Sequence, residues 1–292
     1  MDPFKGYNTI EVAYPFRLRG PGNQQNNDSL LWPPPTYLTT GRGDRPPAPT
    51  TTYSQGIALG YFSLHNRSGG TLAAAGIGVR IPNYLWIAGQ WDDDGATPFT
   101  ADTTDAQDVG ATDFELETTT ANDGYVVASR VPFNAISIDV GTASGTNSPT
   151  RALRYTNPAG DGWIDFANLF VQTGAAAALS VTGTTIANEA LVVWDVPLNW
   201  GVTAAAGLSG IARDYYAVNM RATTAPDVTA AVADSLSIYR IFMLTEIIGD
   251  NGTLSQDFAG KDFRFPVEGD ALVALFDTAN SQNRVIAQVK TY

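Results

Sequence analysis

The 292-residue chain has no cysteine, one histidine and three lysines. The missing thiols exclude disulfides, thiolate zinc sites and cysteine nucleophiles. Stability therefore rests on packing, and a chain of this length buries a core without cross-links. The one histidine, His65, lies in Ser63-Leu64-His65-Asn66-Arg67, and no Gly-x-Ser-x-Gly elbow occurs elsewhere. Neither a base and nucleophile pair nor a histidine-rich metal set can be assembled from that, so no catalytic residue is assigned and the chain is not expected to be an enzyme. Lys5, Lys261 and Lys290 join fourteen scattered arginines in a chain of net charge −12. Wrapping a phosphate backbone takes a basic stripe, so direct nucleic-acid binding is not expected. No window approaches the roughly 20 apolar residues of a membrane helix, and Met1-Asp2-Pro3-Phe4-Lys5 reads as a mature cytosolic start without a secretory signal. The glycine stretches Ser68-Gly69-Gly70 and Gly76-Ile77-Gly78 lack the phosphate-loop and dinucleotide spacings. No cofactor is expected.

What is present divides the chain. Residues 1–52 carry Pro33-Pro34-Pro35, Pro46-Pro47-Ala48-Pro49 and the polar run Asn23-Gln24-Gln25-Asn26-Asn27, a composition that reads as an extended arm. Ordering such a segment costs about 1–2 kcal/mol of backbone entropy per residue. Its large apolar side chains, Tyr14, Phe16, Leu30, Leu31, Trp32 and Tyr37, must therefore bury against the chain's own body or a neighbour, and they are the candidate partner-binding residues.

From Tyr53 onward, runs of four to eight residues rich in Val, Ile, Tyr, Trp and Thr alternate with Gly, Asn, Asp, Ser and Pro. That texture predicts strands and turns. Strands are expected at Ile57–Leu64, Ala75–Ile81, Tyr84–Trp91, Gly124–Ser129, Ala135–Val140, Ala152–Tyr155, Leu191–Val196, Tyr215–Ala222, Leu236–Leu244, Ala271–Asp277 and Val285–Tyr292. In Ala135–Val140, Ile136, Ile138 and Val140 share one face. The alanine-rich stretches Ala175–Leu179 and Val202–Arg213 are broken by glycines at about 1 kcal/mol each, so at most a short helical turn is expected. The chain is read as all-β: an antiparallel β-sandwich of jelly-roll or immunoglobulin-like kind. It comprises the arm, a first β region at 53–120, a central sandwich module at 121–246, and strands at 247–292. Since chain ends often meet, one arrangement has that tail completing the first region.

The central module carries Asn122-Asp123-Gly124-Tyr125-Val126-Val127 running into Pro132-Phe133-Asn134-Ala135-Ile136-Ser137-Ile138-Asp139-Val140. Leu153-Arg154-Tyr155, Gly162-Trp163 and Val193-Trp194-Asp195-Val196-Pro197-Leu198-Asn199-Trp200 follow, then Asp214-Tyr215-Tyr216-Ala217-Val218-Asn219-Met220-Arg221-Ala222. Gly124 permits a turn before a strand and Pro132 breaks pairing, while the aromatics supply the apolar area that a thin core needs. Taken together this pattern resembles a β-sandwich module of tailed-bacteriophage virion structural proteins. The resemblance implies a structural role in the virion, assembled in the host cytoplasm. The expected role is capsid decoration or cement, with the major capsid protein or other virion proteins as partners and homo-oligomers, trimers among them. The alternative is a tail, fibre or baseplate protein whose sandwich binds a host-surface glycan.

Two constellations invite chemistry. Asp92-Asp93-Asp94-Gly95 with Asp102, Asp105 and Asp108 gathers oxygen donors suited to calcium. Asp92, Asp93 and Asp94 are the metal candidates, although the EF-hand spacing is absent and a solvated acidic loop is the plainer reading. Trp86, Trp91, Trp163 and Trp200 would suit sugar stacking if exposed and core packing if buried. Arg42-Gly43-Asp44 is a three-residue match to an adhesion motif and carries no weight.

Overall fold

The apolar and β-branched runs become paired strands. A computed structural model describes residues 8–12, 28–32, 57–66, 75–108, 114–142, 151–166, 169–173, 190–224, 230–245, 249–257, 264–265, 272–276 and 284–291. Among them are nineteen strands, one 3-10 turn and one five-residue helix, and every strand pair with an assigned register is antiparallel. The chain is all-β, as the residue pattern predicts.

It forms two compact units. The first takes residues 1–20, 25–82 and 241–292. Its first sheet has the order β1 (Asn8–Val12), β19 (Arg284–Thr291), β3 (Ile57–His65), β16 (Thr253–Asp257), and β17 (Arg264–Phe265) also pairs β3. In the same unit β18 (Leu272–Phe276) lies between β4 (Ala75–Arg80) and β2 (Asp28–Trp32). The expected arm thus contains two strands that pair with the chain's own tail. The prolines explain where: β1 falls between Pro3 and Pro15 and β2 between Pro21 and Pro33, stretches where every residue can donate its N–H.

The second unit is built on residues 83–240, so it begins well before residue 121. The reason is β5 (Trp86–Trp91), which pairs over six residues with β8 (Gly124–Ser129). One sheet has the order β11 (Trp163–Asp165), β10 (Arg151–Thr156), β14 (Tyr216–Ala222), β8, β5, β6 (Phe99–Ala101). The second runs β12 (Leu169–Thr173), β13 (Ala190–Trp194), β9 (Ala135–Thr142), β15 (Val232–Thr245), with β7 (Phe114–Glu115) on β15.

The inner faces meet through aromatic rings. Phe166 lies 4.8 Å from Tyr155 and 5.2 Å from Trp194, and Phe114 lies 6.0 Å edge-on to Tyr125. Ile136 and Ile138 on β9 are fully buried, with Leu236 and Ile238 beside them. The unit is a sandwich.

The six-stranded sheet is covered on its other face too, since all six residues of β8 are buried. There Trp91, Phe99, Val126, Ala128, Ile211 and Ala217 form a second, smaller core. Residues 201–215 lie over it, held by Phe99 N–H donating to the Ser209 carbonyl at 2.9 Å and a bridge between Leu208 and Ile211. The alanine-rich stretch 202–213 is accordingly a looped cover and not a helix. The one α-helix among the described residues, α1 (Thr103–Gln107), sits in the acidic run. Ala175–Leu179 lies outside the described residues.

Candidate functional site

The outer face of the six-stranded sheet brings together residues far apart in sequence. Register places Trp91 beside Gly124 and Gly124 beside Arg221, and in the next outer row Arg154 beside Asn219 and Val126. Gly124 is required by the neighbouring strand: a Cβ there would collide with the Met220 carbonyl oxygen and lie 2.9 Å from Arg221 Cα. Trp91 from β5 and Trp163 from β11 reach each other across this face. Their rings stand edge to face at 5.4 Å.

Arg154 completes the group. Its Cζ sits 5.9 Å from the Trp91 ring centre and 5.6 Å from that of Trp163, within cation–π range. Its Nε and Nη2 both donate to Asn219 Oδ1, the first at 3.0 Å. Burial, and then repulsion from Arg221, pull the Arg154 pKa down to about 10, while Asp93 and Asp165 oppose the shift. Arg221 Nη1 donates to Asn122 Oδ1 at 3.3 Å, and Trp91 Nε1 to Asp93 Oδ1 at 3.1 Å. Trp163 Nε1 and Arg221 Nε have no hydrogen-bond acceptor among the described residues. The result is a half-buried patch of guanidinium, amide, carboxylate and indole groups. Such groups can stack on and hydrogen-bond a polar, ring-shaped ligand.

Of the four tryptophans proposed for sugar stacking, Trp86, Trp91 and Trp200 are buried and only Trp163 is partly open. Trp200 belongs to the inner core, with Phe133 at 5.4 Å and Tyr216 at 5.5 Å. Asp92, Asp93 and Asp94 do not converge as a metal cage. They form an exposed turn in which the Asp92 carboxylate accepts from Asp94 N–H at 3.2 Å and the Asp92 carbonyl from Gly95 N–H at 3.2 Å. Among the described residues no group of three or more His, Asp or Glu side chains is placed to hold a metal.

Leu30, Leu31 and Trp32 lie in β2, paired to β18 of the same chain. Tyr14, Phe16 and Tyr37 fall outside the described residues, as does Arg42-Gly43-Asp44. His65 ends β3 with Nδ1 2.6 Å from Thr253 Oγ1, its cross-strand neighbour.

Sequence reasoning did not find the ionic group inside the sandwich. Arg151 Nη2 and Nε donate to Glu117 Oε2 at 2.7 and 3.1 Å, with both side chains buried. Glu117 Oε1 and the Tyr125 hydroxyl have no hydrogen-bond partner among the described residues, and burial pushes the tyrosine pKa up. The expected strand begins at Ala152, one residue past Arg151, and the partner of Arg151 lies 34 residues away. Closed off from solvent, this pair fixes how the sheets pack and offers no surface for chemistry.

Comparison with protein-family models, with curated proteins and with solved structures finds no match to this chain.

Proposed function

We propose that the chain is a structural protein of a virus particle, of the capsid decoration or cement kind, that binds across neighbouring shell subunits. The observation that carries this reading is the position of β1 and β2. Each is the last strand of its sheet order, so one row of its backbone N–H and C=O groups faces away from its partner. Among the described residues nothing pairs with that row, and a free edge is where another chain adds as a strand. Pro33-Pro34-Pro35 follows β2 directly in sequence, and Pro46-Pro47-Ala48-Pro49 comes ten residues later. Extended segments of that kind lengthen a contact without forming a core. The net charge of −12 suits a particle exterior, because like-charged particles stay dispersed.

The test mixes the purified full-length protein with undecorated capsids. Saturable binding in stoichiometric proportion to the shell protein is expected, together with genome release at a higher temperature. Binding of a few copies at one vertex, or none, rules out the shell placement.

A second reading, a tail, fibre or baseplate protein that binds a host glycan, draws on the patch around Arg154 and Trp163. Saturable binding to one sugar class on a glycan array, lost in Trp163→Ala, would favour it over the shell.

A further inference from the structure

Two arginines on the outer face of the six-stranded sheet carry their charge without a carboxylate partner. Arg154 and Arg221 are both half-buried, and among the described residues neither forms an ion pair. Each is held instead by a neutral amide oxygen, Arg154 by that of Asn219 and Arg221 by that of Asn122. Arg154 Nη1 and Arg221 Nη2 make no hydrogen bond among the described residues, and Arg221 Nε has no acceptor either. Arg221 is close enough to lower the Arg154 pKa, an effect second only to burial. Two like charges brought together at half burial carry a cost that an anion set between them relieves.

Register gives the pair a rigid, low floor. Arg221 lies between Gly124 of β8 and Ala152 of β10, so the strands on either side present no long side chain beside it. Arg154 lies beside Asn219, which is fully buried and fixed at both ends of its amide: Nδ2 donates to the Tyr125 carbonyl at 3.1 Å, and Oδ1 accepts from Arg154. With Trp91 and Trp163 against it as well, the Arg154 guanidinium is set in place before a ligand arrives, which lowers the ordering cost of binding.

The acidic groups around the pair narrow the ligand. Asp165 on β11 lies directly across from Arg154 and is exposed, as is the turn Asp92-Asp93-Asp94 that follows Trp91. Asp93 and Asp165 act on the Arg154 charge from a distance at which neither forms an ion pair with it. Asp123, next to Gly124, is buried and taken up by the Asp93 N–H and the Thr118 hydroxyl. A polyanion would meet the exposed carboxylates and a chain of net charge −12. An aspartate or glutamate of another protein would satisfy the guanidiniums and bring no donor for Asp93 and Asp165. A sugar ring with one carboxylate meets both demands, because its carboxylate accepts from the free guanidinium N–H groups while its hydroxyls donate to the aspartates. We propose that Arg154 and Arg221 form a carboxylate-binding site for an acidic sugar residue, a hexuronic or nonulosonic acid. This site deepens the glycan reading of the patch and rests on it, whereas the shell reading does not depend on it.

The test measures binding of glucuronic acid, N-acetylneuraminic acid, the methyl ester of glucuronic acid and glucose to the full-length protein, by saturation-transfer NMR and titration calorimetry. Saturable binding of at least one of the two acids is expected, with the ester and glucose weaker by about tenfold or more for want of charge-assisted hydrogen bonds. Arg221→Gln should weaken acid binding to the same degree with an unchanged circular dichroism spectrum. Arg130→Gln, which changes an exposed arginine just past the end of β8 opposite to Gly124, should leave it unchanged. Equal weakening by both variants would reduce the effect to general electrostatic attraction and overturn the site. Glucose binding as tight as glucuronic acid binding, lost in Trp163→Ala, overturns the acidic specificity and leaves the glycan reading intact. If neither acid binds saturably the site is refuted, and the glycan reading falls with it only if the glycan array is blank too. Binding of a glutamate-rich peptide in place of both acids, lost in Arg221→Gln, also overturns the proposal and hands the site to a protein partner.

Discussion

Replacing Asp139 with asparagine should stabilise the protein at neutral pH and do nothing in acid. Asp139 lies on β9 opposite Ser235, where the pairing with β15 is irregular. It is buried, and its Oδ2 has no hydrogen-bond partner among the described residues. Burial, and then the charge of Asp234, raise its pKa from 3.8 to about 6. A carboxyl whose folded pKa lies above its unfolded value binds protons more tightly in the native state. The native state therefore loses stability as pH rises from about 4 through 6, and above that range the cost is fully present. A shift of about two units at 1.36 kcal/mol each sets a ceiling of about 3 kcal/mol. Partial solvent access reduces it to about 1–2 kcal/mol.

Urea unfolding of parent and Asp139→Asn proteins at pH 4, 5, 6, 7 and 8 measures this directly. The difference should be near zero at pH 4, grow through pH 5 and 6, and level off at about 1–2 kcal/mol in favour of asparagine at pH 7–8. Because every other carboxylate is common to both proteins, the difference isolates one group. An asparagine variant that is less stable than the parent at pH 8 would refute the reasoning, because it would mean that the charged carboxylate is well solvated or hydrogen-bonded where it lies.

Two further changes test the packing. Glu117→Gln removes the carboxylate that accepts from both Nε and Nη2 of buried Arg151 and should cost about 3 kcal/mol in urea unfolding, whereas replacing both Glu117 and Arg151 by methionine should come within about 1 kcal/mol of the parent; equal losses in the single and double variants would show the pair to be uncoupled. Gly124→Ala drives a Cβ into the backbone of β14 and should destabilise by about 3 kcal/mol or more, so a thermal midpoint within 2 °C of the parent's would contradict the close approach of β8 and β14.

Much of the strand content was legible along the chain. Gly124–Ser129 was read with the bounds that β8 has, and the alternation of Ile136 and Ile138 pointed both residues into the core. Short strands such as β6, β7, β11 and β17 escaped, because two or three residues carry no period and become strands only when a neighbour pairs with them. The strands β1 and β2 were hidden by the prolines around them. The aspartate run suggested a cation site from composition, yet its carboxylates serve a turn and an indole. The patch around Arg154 escaped because its members are brought together by register: Arg154 and Asn219 are 65 positions apart.

The sequence by itself determined that this chain is all-β, holds no thiol chemistry and carries a large negative charge. Those properties follow from composition and from a two-residue period that any five consecutive residues express. Tertiary structure alone decided that β5 joins β8, that both ends of the chain share one unit, and that β8 is buried on both faces. Each of these is a choice of partner between distant segments. Loop closure penalises distance only logarithmically, so many pairings cost nearly the same in chain entropy. The outcome is set by which faces fit, as where Trp91 and Trp163 meet across the outer face beside Gly124.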